Sequence, residues 1–183
     1  PYPDVNVTRS YPLGAPGFFG GDNVGVDAFR KSDDWDNVLD MVGAREAWQY
    51  NRGEGAVIGI IDSGCDMSRL HSDQVVGVWN EDDSSMHDEV GHGTMVALSA
   101  ASQTSINGFE GVAPEAGLII LKPQPTDRRA MGTHDLMRAT DKMLVYAIET
   151  NQRVIVNNSW GLFGCKNLLL PCRIMITRAM VAA

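Results

Sequence analysis

The sequence predicts an α/β fold with a mostly parallel sheet flanked by helices, and three observations point there. Residues 56–61, 118–121 and 154–156 are short, uniformly apolar runs, which suits strands buried on both faces rather than half-exposed ones. Segments with helical spacing lie between them, so strand and helix alternate from Ala56 onward, as in successive βαβ units. The chain has 183 residues and is 44% hydrophobic, enough for one such core but short for two full domains.

Residues 1–36 are rich in Pro, Gly and Asp with little periodicity, and read as an extended arm before a body that starts near residue 37. A short helix is expected around residues 37–50, with Val38, Met41, Val42 and Trp48 near one face. Asn51-Arg52-Gly53-Glu54-Gly55 breaks it, and the first strand then runs into Asp62-Ser63-Gly64. A carboxylate at the end of a parallel strand sits on the edge where α/β enzymes build their sites. Residues 65–90 are polar and acidic and should be mostly loop, with one short strand at Val75-Val76-Gly77-Val78.

Gly91-His92-Gly93-Thr94 then opens an apolar stretch through Met95, Val96, Leu98 and Ala101, which reads as a helix with histidine in its first turn. Gly111-Val112-Ala113-Pro114 leads into the second buried strand. Leu136, Met137, Met143, Leu144, Ala147 and Ile148 recur at helical spacing after Thr133, a suitable N-cap. The third strand follows, and residues 173–183 begin another helical pattern.

A net charge of −8 and a pI near 4.8 disfavour a nucleic-acid partner, because no cationic surplus exists to displace counterions. No apolar run reaches the length of a membrane span. The chain opens Pro-Tyr-Pro with no signal-like segment, which suggests a processed or truncated product. Cys165 and Cys172 can close a small disulfide loop and leave Cys65 free; three reduced thiols is the other reading. Among the acidic residues, Glu81-Asp82-Asp83, Asp88 and Glu89 read as a solvated loop.

Hydrolysis of a peptide by a serine needs a histidine to take the hydroxyl proton, a buried carboxylate to fix its tautomer, and donors for the oxyanion. Asp62 at a strand end and His92 at a helix start match two of those parts. Neither is specific alone. Together with their flanking residues, in order, they become so. Val57-Ile58-Gly59-Ile60-Ile61-Asp62-Ser63-Gly64, Gly91-His92-Gly93-Thr94, Gly111-Val112-Ala113-Pro114 and Val156-Asn157-Asn158-Ser159-Trp160-Gly161 resemble the subtilisin-like serine protease (subtilase) family. The lead-in Gly43-Ala44-Arg45-Glu46-Ala47-Trp48 is similar too, and the resemblance covers about residues 37–183.

The resemblance implies a subtilisin-like three-layer fold, incomplete in this chain, and a serine endopeptidase working through an Asp-His-Ser triad and an acyl-enzyme. Asp62 would be the buried carboxylate and His92 the general base and acid, with Gly91 and Gly93 letting backbone pass close to its neighbours. Ser159, Trp160 and Gly161 would form the edge that pairs with an extended polypeptide substrate, although Trp160 stands where the family often has a smaller apolar residue. His71-Ser72-Asp73 resembles a segment near which calcium is often bound, making Asp73 a calcium candidate; the chemistry itself needs no cofactor. A secreted or extracytoplasmic location would fit the family.

No Gly-x-Ser-x-Gly or Gly-Thr-Ser motif occurs, so the oxyanion asparagine and the nucleophile would come from a C-terminal part on another chain or omitted here. The isolated chain is accordingly expected to be inactive. A non-catalytic, subtilase-like module that holds peptides on its edge strand is the competing reading, but such a binder has no chemical need for Asp62, His92 and Gly93 together. A metal-dependent hydrolase using His71, His87, His92 and Asp62 is poorer, because these histidines form no i, i+4 pair on one helix.

Overall fold

A computed structural model describes residues 33–80, 85–123 and 133–159. The elements, in chain order, are α1 (Asp33–Met41), α2 (Ala44–Ala47), β1 (Val57–Ile61), β2 (Val75–Asn80), α3 (His92–Ala101), α4 (Thr104–Asn107), β3 (Gly117–Lys122), α5 (Thr133–Thr150) and β4 (Val154–Asn157). Single 3-10 turns, Met67–Arg69 and Ser72–Gln74, precede β2. The strands form one sheet in the order β2-β3-β1-β4, with every neighbouring pair parallel. The α/β architecture read from the sequence is the one observed.

Strand alternation builds the two faces of the core. Ile60 of β1 and Leu118 and Ile120 of β3 point to one side, where Ala97, Leu98 and Ala101 of α3 cover them. Val57 and Ile61 of β1 and Ile119 and Leu121 of β3 point to the other, against Leu136, Ala139 and Met143 of α5. Three layers result, and each buried Leu or Ile contributes about 1.5–3 kcal/mol through removal from water. Ile148, placed on the buried stripe by its spacing, is 70% exposed instead, while Tyr146 and Ala147 beside it pack against the core. The helix includes Thr133 as its first residue rather than being capped by it.

The helix expected around residues 37–50 is two pieces, parted at Gly43, whose φ of 74° is left-handed. The face proposed from spacing is also the wrong one. Met41 and Val42 are well exposed, while Leu39 and Ala44 are buried. Two indole N–H groups dock this lead-in: Trp35 Nε1 donates to the Glu110 carbonyl (2.7 Å) and Trp48 Nε1 to the Val112 carbonyl (2.8 Å). Arg52 lies 4.4 Å over the Trp48 ring and pairs with Glu110 and Glu115. The Gly111-Val112-Ala113-Pro114 turn is thus gripped from outside.

From inside, the turn is held by a buried amide. Gln74 Nε2 donates to the carbonyls of Ala101 (2.8 Å), Pro114 (3.1 Å) and Ala116 (3.1 Å), tying the end of α3 to the start of β3. No helix among the described residues is long and apolar enough to cross a membrane. The arm at 1–36 lies almost wholly outside the described residues, as do Cys165, Cys172 and the helix expected at 173–183.

Replacing Gln74 with leucine keeps the volume but leaves those carbonyls without their buried donor. Urea unfolding is expected to show a loss of about 1–3 kcal/mol for Gln74→Leu. An unchanged midpoint would mean that the amide is dispensable to the fold.

Candidate active site

Asp62 directly follows β1. Its backbone N–H donates to the Leu121 carbonyl (3.0 Å), which extends the β1–β3 ladder one residue past the strand and fixes the carboxylate at the sheet's carboxyl edge. His92 opens α3. The fold brings these residues, 30 positions apart, into a hydrogen bond of 2.7 Å between His92 Nδ1 and Asp62 Oδ1. That length belongs to charge-assisted bonds. The Asp62 side chain is 5% exposed and that of His92 33%, so a buried acceptor holds a ring that still reaches the surface.

A glycine makes the approach possible. A Cβ at Gly93 would overlap the Gly64 carbonyl oxygen and stand 3.1 Å from Asp62 Cβ and 3.2 Å from Asp62 Oδ1. The start of α3 therefore packs backbone-to-backbone against the end of β1. Gly91, also expected to serve close approach, has nothing within 4 Å of such a Cβ. Its role is conformational: with φ of 79° it makes the left-handed entry into α3.

The Asp62 carboxylate is oriented by its neighbours. Oδ1 also accepts the Ser63 backbone N–H (2.8 Å), while Oδ2 is buried and accepts no hydrogen bond among the described residues. The hydrogen bond to Asp62 holds the His92 imidazole above its ordinary value; burial opposes this, and the charges of Asp62 and Asp88 add to the rise. His92 is thus a stronger base than a free imidazole.

Asp88 departs most from its sequence reading. It is no solvated loop residue but half-buried, and five donors surround its carboxylate. Oδ1 accepts from Ser63 Oγ (2.8 Å), Gly91 N (2.9 Å) and Val90 N (3.2 Å); Oδ2 accepts from Thr94 N and Thr94 Oγ1, both at 2.7 Å. Burial works against its charge, yet the bonds from Thr94, Ser63 and Gly91 outweigh it and hold the carboxyl below the usual range. The available sequence signal was Asp88 four residues before His92 and six before Thr94, where a side chain can reach a helix's orphan N–H groups.

The other candidates stand apart from the pair. Ser159 follows β4 and is exposed, its Oγ within 2.8 Å of Asn157 Nδ2; Trp160 and Gly161 lie outside the described residues. Asp73 is exposed and faces His71 at 3.9 Å. No group of three His, Cys, Asp or Glu side chains among the described residues is placed to hold a metal ion. Cys65 is buried, and burial first, then the charge of Asp88, pushes its thiol up to about 12.

Comparison with known proteins bears on the family and the fold. The profile of the Subtilase family matches residues 53–168, more than half of the chain. Mycosin-3 of Mycobacterium tuberculosis is 37% identical over 111 residues, covering 58% of this chain and 24% of that protein. An intracellular serine protease of Paenibacillus polymyxa is 33% identical over 126 residues, 64% of this chain and 36% of that one. The CspB protease of Clostridium perfringens shares the fold with a TM-score of 0.62 at 21% identity, over 74% of this chain and 36% of that structure. The chain therefore spans about a quarter to a third of the length of these proteins.

Two outcomes follow from the electrostatics. Asp88, lowered from 3.8, contributes stability that is present above that value and lost as pH falls through the lower folded value. His92, raised from 6.5, contributes stability that is full below 6.5 and lost as pH rises through the higher folded value. Thermal melts across pH should therefore flatten on the acid side in Asp88→Asn and above neutrality in His92→Gln; parallel curves would remove this account. Separately, Cys65 should resist iodoacetamide at pH 8 in the native protein and react in urea, as read by peptide mass mapping.

Proposed function

The chain belongs to the subtilase family, and from that premise we propose that it supplies the carboxylate and the base of a serine endopeptidase. The observation that carries this reading is the 2.7 Å bond from a surface-reaching imidazole to a buried carboxylate. With Nδ1–H held by Asp62, the working nitrogen of His92 is Nε2. In this reading Nε2 takes the proton from a serine hydroxyl as the oxygen attacks the scissile carbonyl. The imidazolium, stabilised by Asp62, then gives that proton to the leaving amine, and water releases the acyl group by the same route in reverse.

The serine and the oxyanion donor would be supplied by polypeptide beyond these 183 residues. Ser159, Trp160 and Gly161, which follow β4 in the sequence, would hold the substrate as an extended strand through main-chain hydrogen bonds. Asp62 does not act on substrate in this scheme. It orients the ring and offsets its charge.

The decisive experiment is fluorophosphonate labelling of the intact gene product, with peptide hydrolysis followed in parallel. Labelling of a serine outside residues 1–183 is expected, with turnover of peptides by the intact product and none by residues 1–183 alone. Absence of labelling and turnover in the intact product would overturn the reading. In an active product, Asp62→Asn should lower kcat about 10⁴-fold and His92→Ala by about 10⁶-fold. The rising limb of kcat/KM with pH should lie above 6.5, because the base must lose a proton it holds more tightly than a free imidazole does.

A further inference from the structure

We propose that Asp88 is a positioning residue for the Asp62–His92 pair, acting through Ser63 and the first turn of α3, with Lys122 strapping its loop in place. The inference rests on the reading of that pair as carboxylate and base. The connections form a closed circuit. Ser63 Oγ lies 2.8 Å from Asp88 Oδ1 and 3.2 Å from Asp62 Oδ1. A hydroxyl has one proton to give, and the shorter path takes it to Asp88. Its lone pair accepts the Gly93 N–H (3.0 Å), beside His92. The residue after the carboxylate and the residue after the imidazole thus meet at one oxygen, which Asp88 orients.

Asp88 also fixes the helix that carries the imidazole. It accepts the N–H groups of Gly91 and Thr94, so residues on both sides of His92 are held by one carboxylate. The Thr94 hydroxyl donates to Asp88 Oδ2 and accepts the Asp66 N–H (2.9 Å), which ties α3 back to the segment after β1. A negative group at a helix start is favoured by the orphan N–H groups there and by the helix dipole.

The loop bearing Asp88 is itself anchored from below. Lys122, buried at the end of β3, donates through Nζ to the carbonyls of His87 (2.9 Å) and Ser85 (3.2 Å). The Cys65 N–H donates to the Met86 carbonyl (2.8 Å) between them. Three successive carbonyls before Asp88 are therefore held by the ends of β1 and β3, the same edge that holds Asp62. Carboxylate, ring and their brace share one rigid foundation.

The test combines kinetics of the intact gene product with NMR of the His92 ring, assigned by the signal that His92→Gln removes. The charged groups acting on that ring among the described residues are Asp62, at the β1 end, and Asp88, in the loop. Asp88→Asn changes charge as well as geometry, so Ser63→Ala, which leaves both charges in place, is the discriminating variant. Each is expected to weaken the Nδ1–H signal, lower the pH at which His92 titrates, and cut kcat about 10²-fold with little change in KM. Lys122→Met should shift all three readouts in the same direction by less.

If Asp88→Asn does not fold, Ser63→Ala decides alone, since it keeps the helix cap. An unchanged ring signal and titration in Ser63→Ala would overturn the inference while leaving the endopeptidase reading intact. An intact product without peptidase activity would sink that reading, and the ring signal would still decide whether Asp88 positions the pair.

Discussion

A carboxylate buried at the end of β1 is the constraint on which the rest of the structure turns. Removing an ion from water costs several kcal/mol, and the cost is offset only where partners are close and fixed. At Asp62 those partners are the His92 ring and the Ser63 amide, both on Oδ1. Their placement dictates the local fold. The sheet must be parallel, so that the ends of β1 and β3 fall together. The loop before α3 must bring a helix start against a strand end, and residue 93 must lack a side chain. An added methyl there would overlap the Gly64 carbonyl oxygen and crowd Asp62.

Two carboxylates within one cluster would normally suppress each other's ionisation. Here they are separated in function by what surrounds them. Asp88 is satisfied by five donors and behaves as part of the scaffold, a fixed anion bound by backbone and hydroxyls. Asp62 Oδ2 accepts no hydrogen bond among the described residues, and its Oδ1 faces one imidazole. The hydroxyl of Ser63 stands between the two carboxylates and bonds to Asp88, so the link between brace and pair runs through a neutral group.

The sheet was legible because parallel strands buried on both faces leave an unmistakable apolar run, and β1 and β3 are of that kind; β4, at the end of the strand order among the described residues, was read the same way but leaves Ile155 55% exposed. Asp62 and His92 were legible because each sits where an element begins or ends, within motifs whose order is specific. The brace was not. Asp88 lies in an irregular acidic stretch, and nothing local separates a carboxylate with five buried donors from one in water. Lys122 was hidden as well, as one cation ending an apolar strand. Its partners, the carbonyls of residues 85 and 87, are 37 and 35 positions away and leave no mark in the sequence. The lead-in failed for a different reason: Gly43 turns the chain in mid-helix, so one stripe cannot describe both halves.

The carboxylate charges that raise the imidazole also add to burial in keeping the Cys65 thiol protonated. Cys65 lies three residues after Asp62, and burial and the charges of Asp88, Asp66 and Asp62 favour its protonated form. A negative potential has opposite consequences for the two groups. It stabilises a cationic imidazolium and destabilises a thiolate. The cluster is therefore suited to receiving a proton and unsuited to generating its own anionic nucleophile. In the proposed reaction the proton of a neutral hydroxyl would be taken during attack, and the charge building on the ring would be met by Asp62 and Asp88. Burial first, and the charges of the nearby carboxylates second, thus disfavour Cys65 as a nucleophile, which accords with the hydroxyl chemistry proposed for the site.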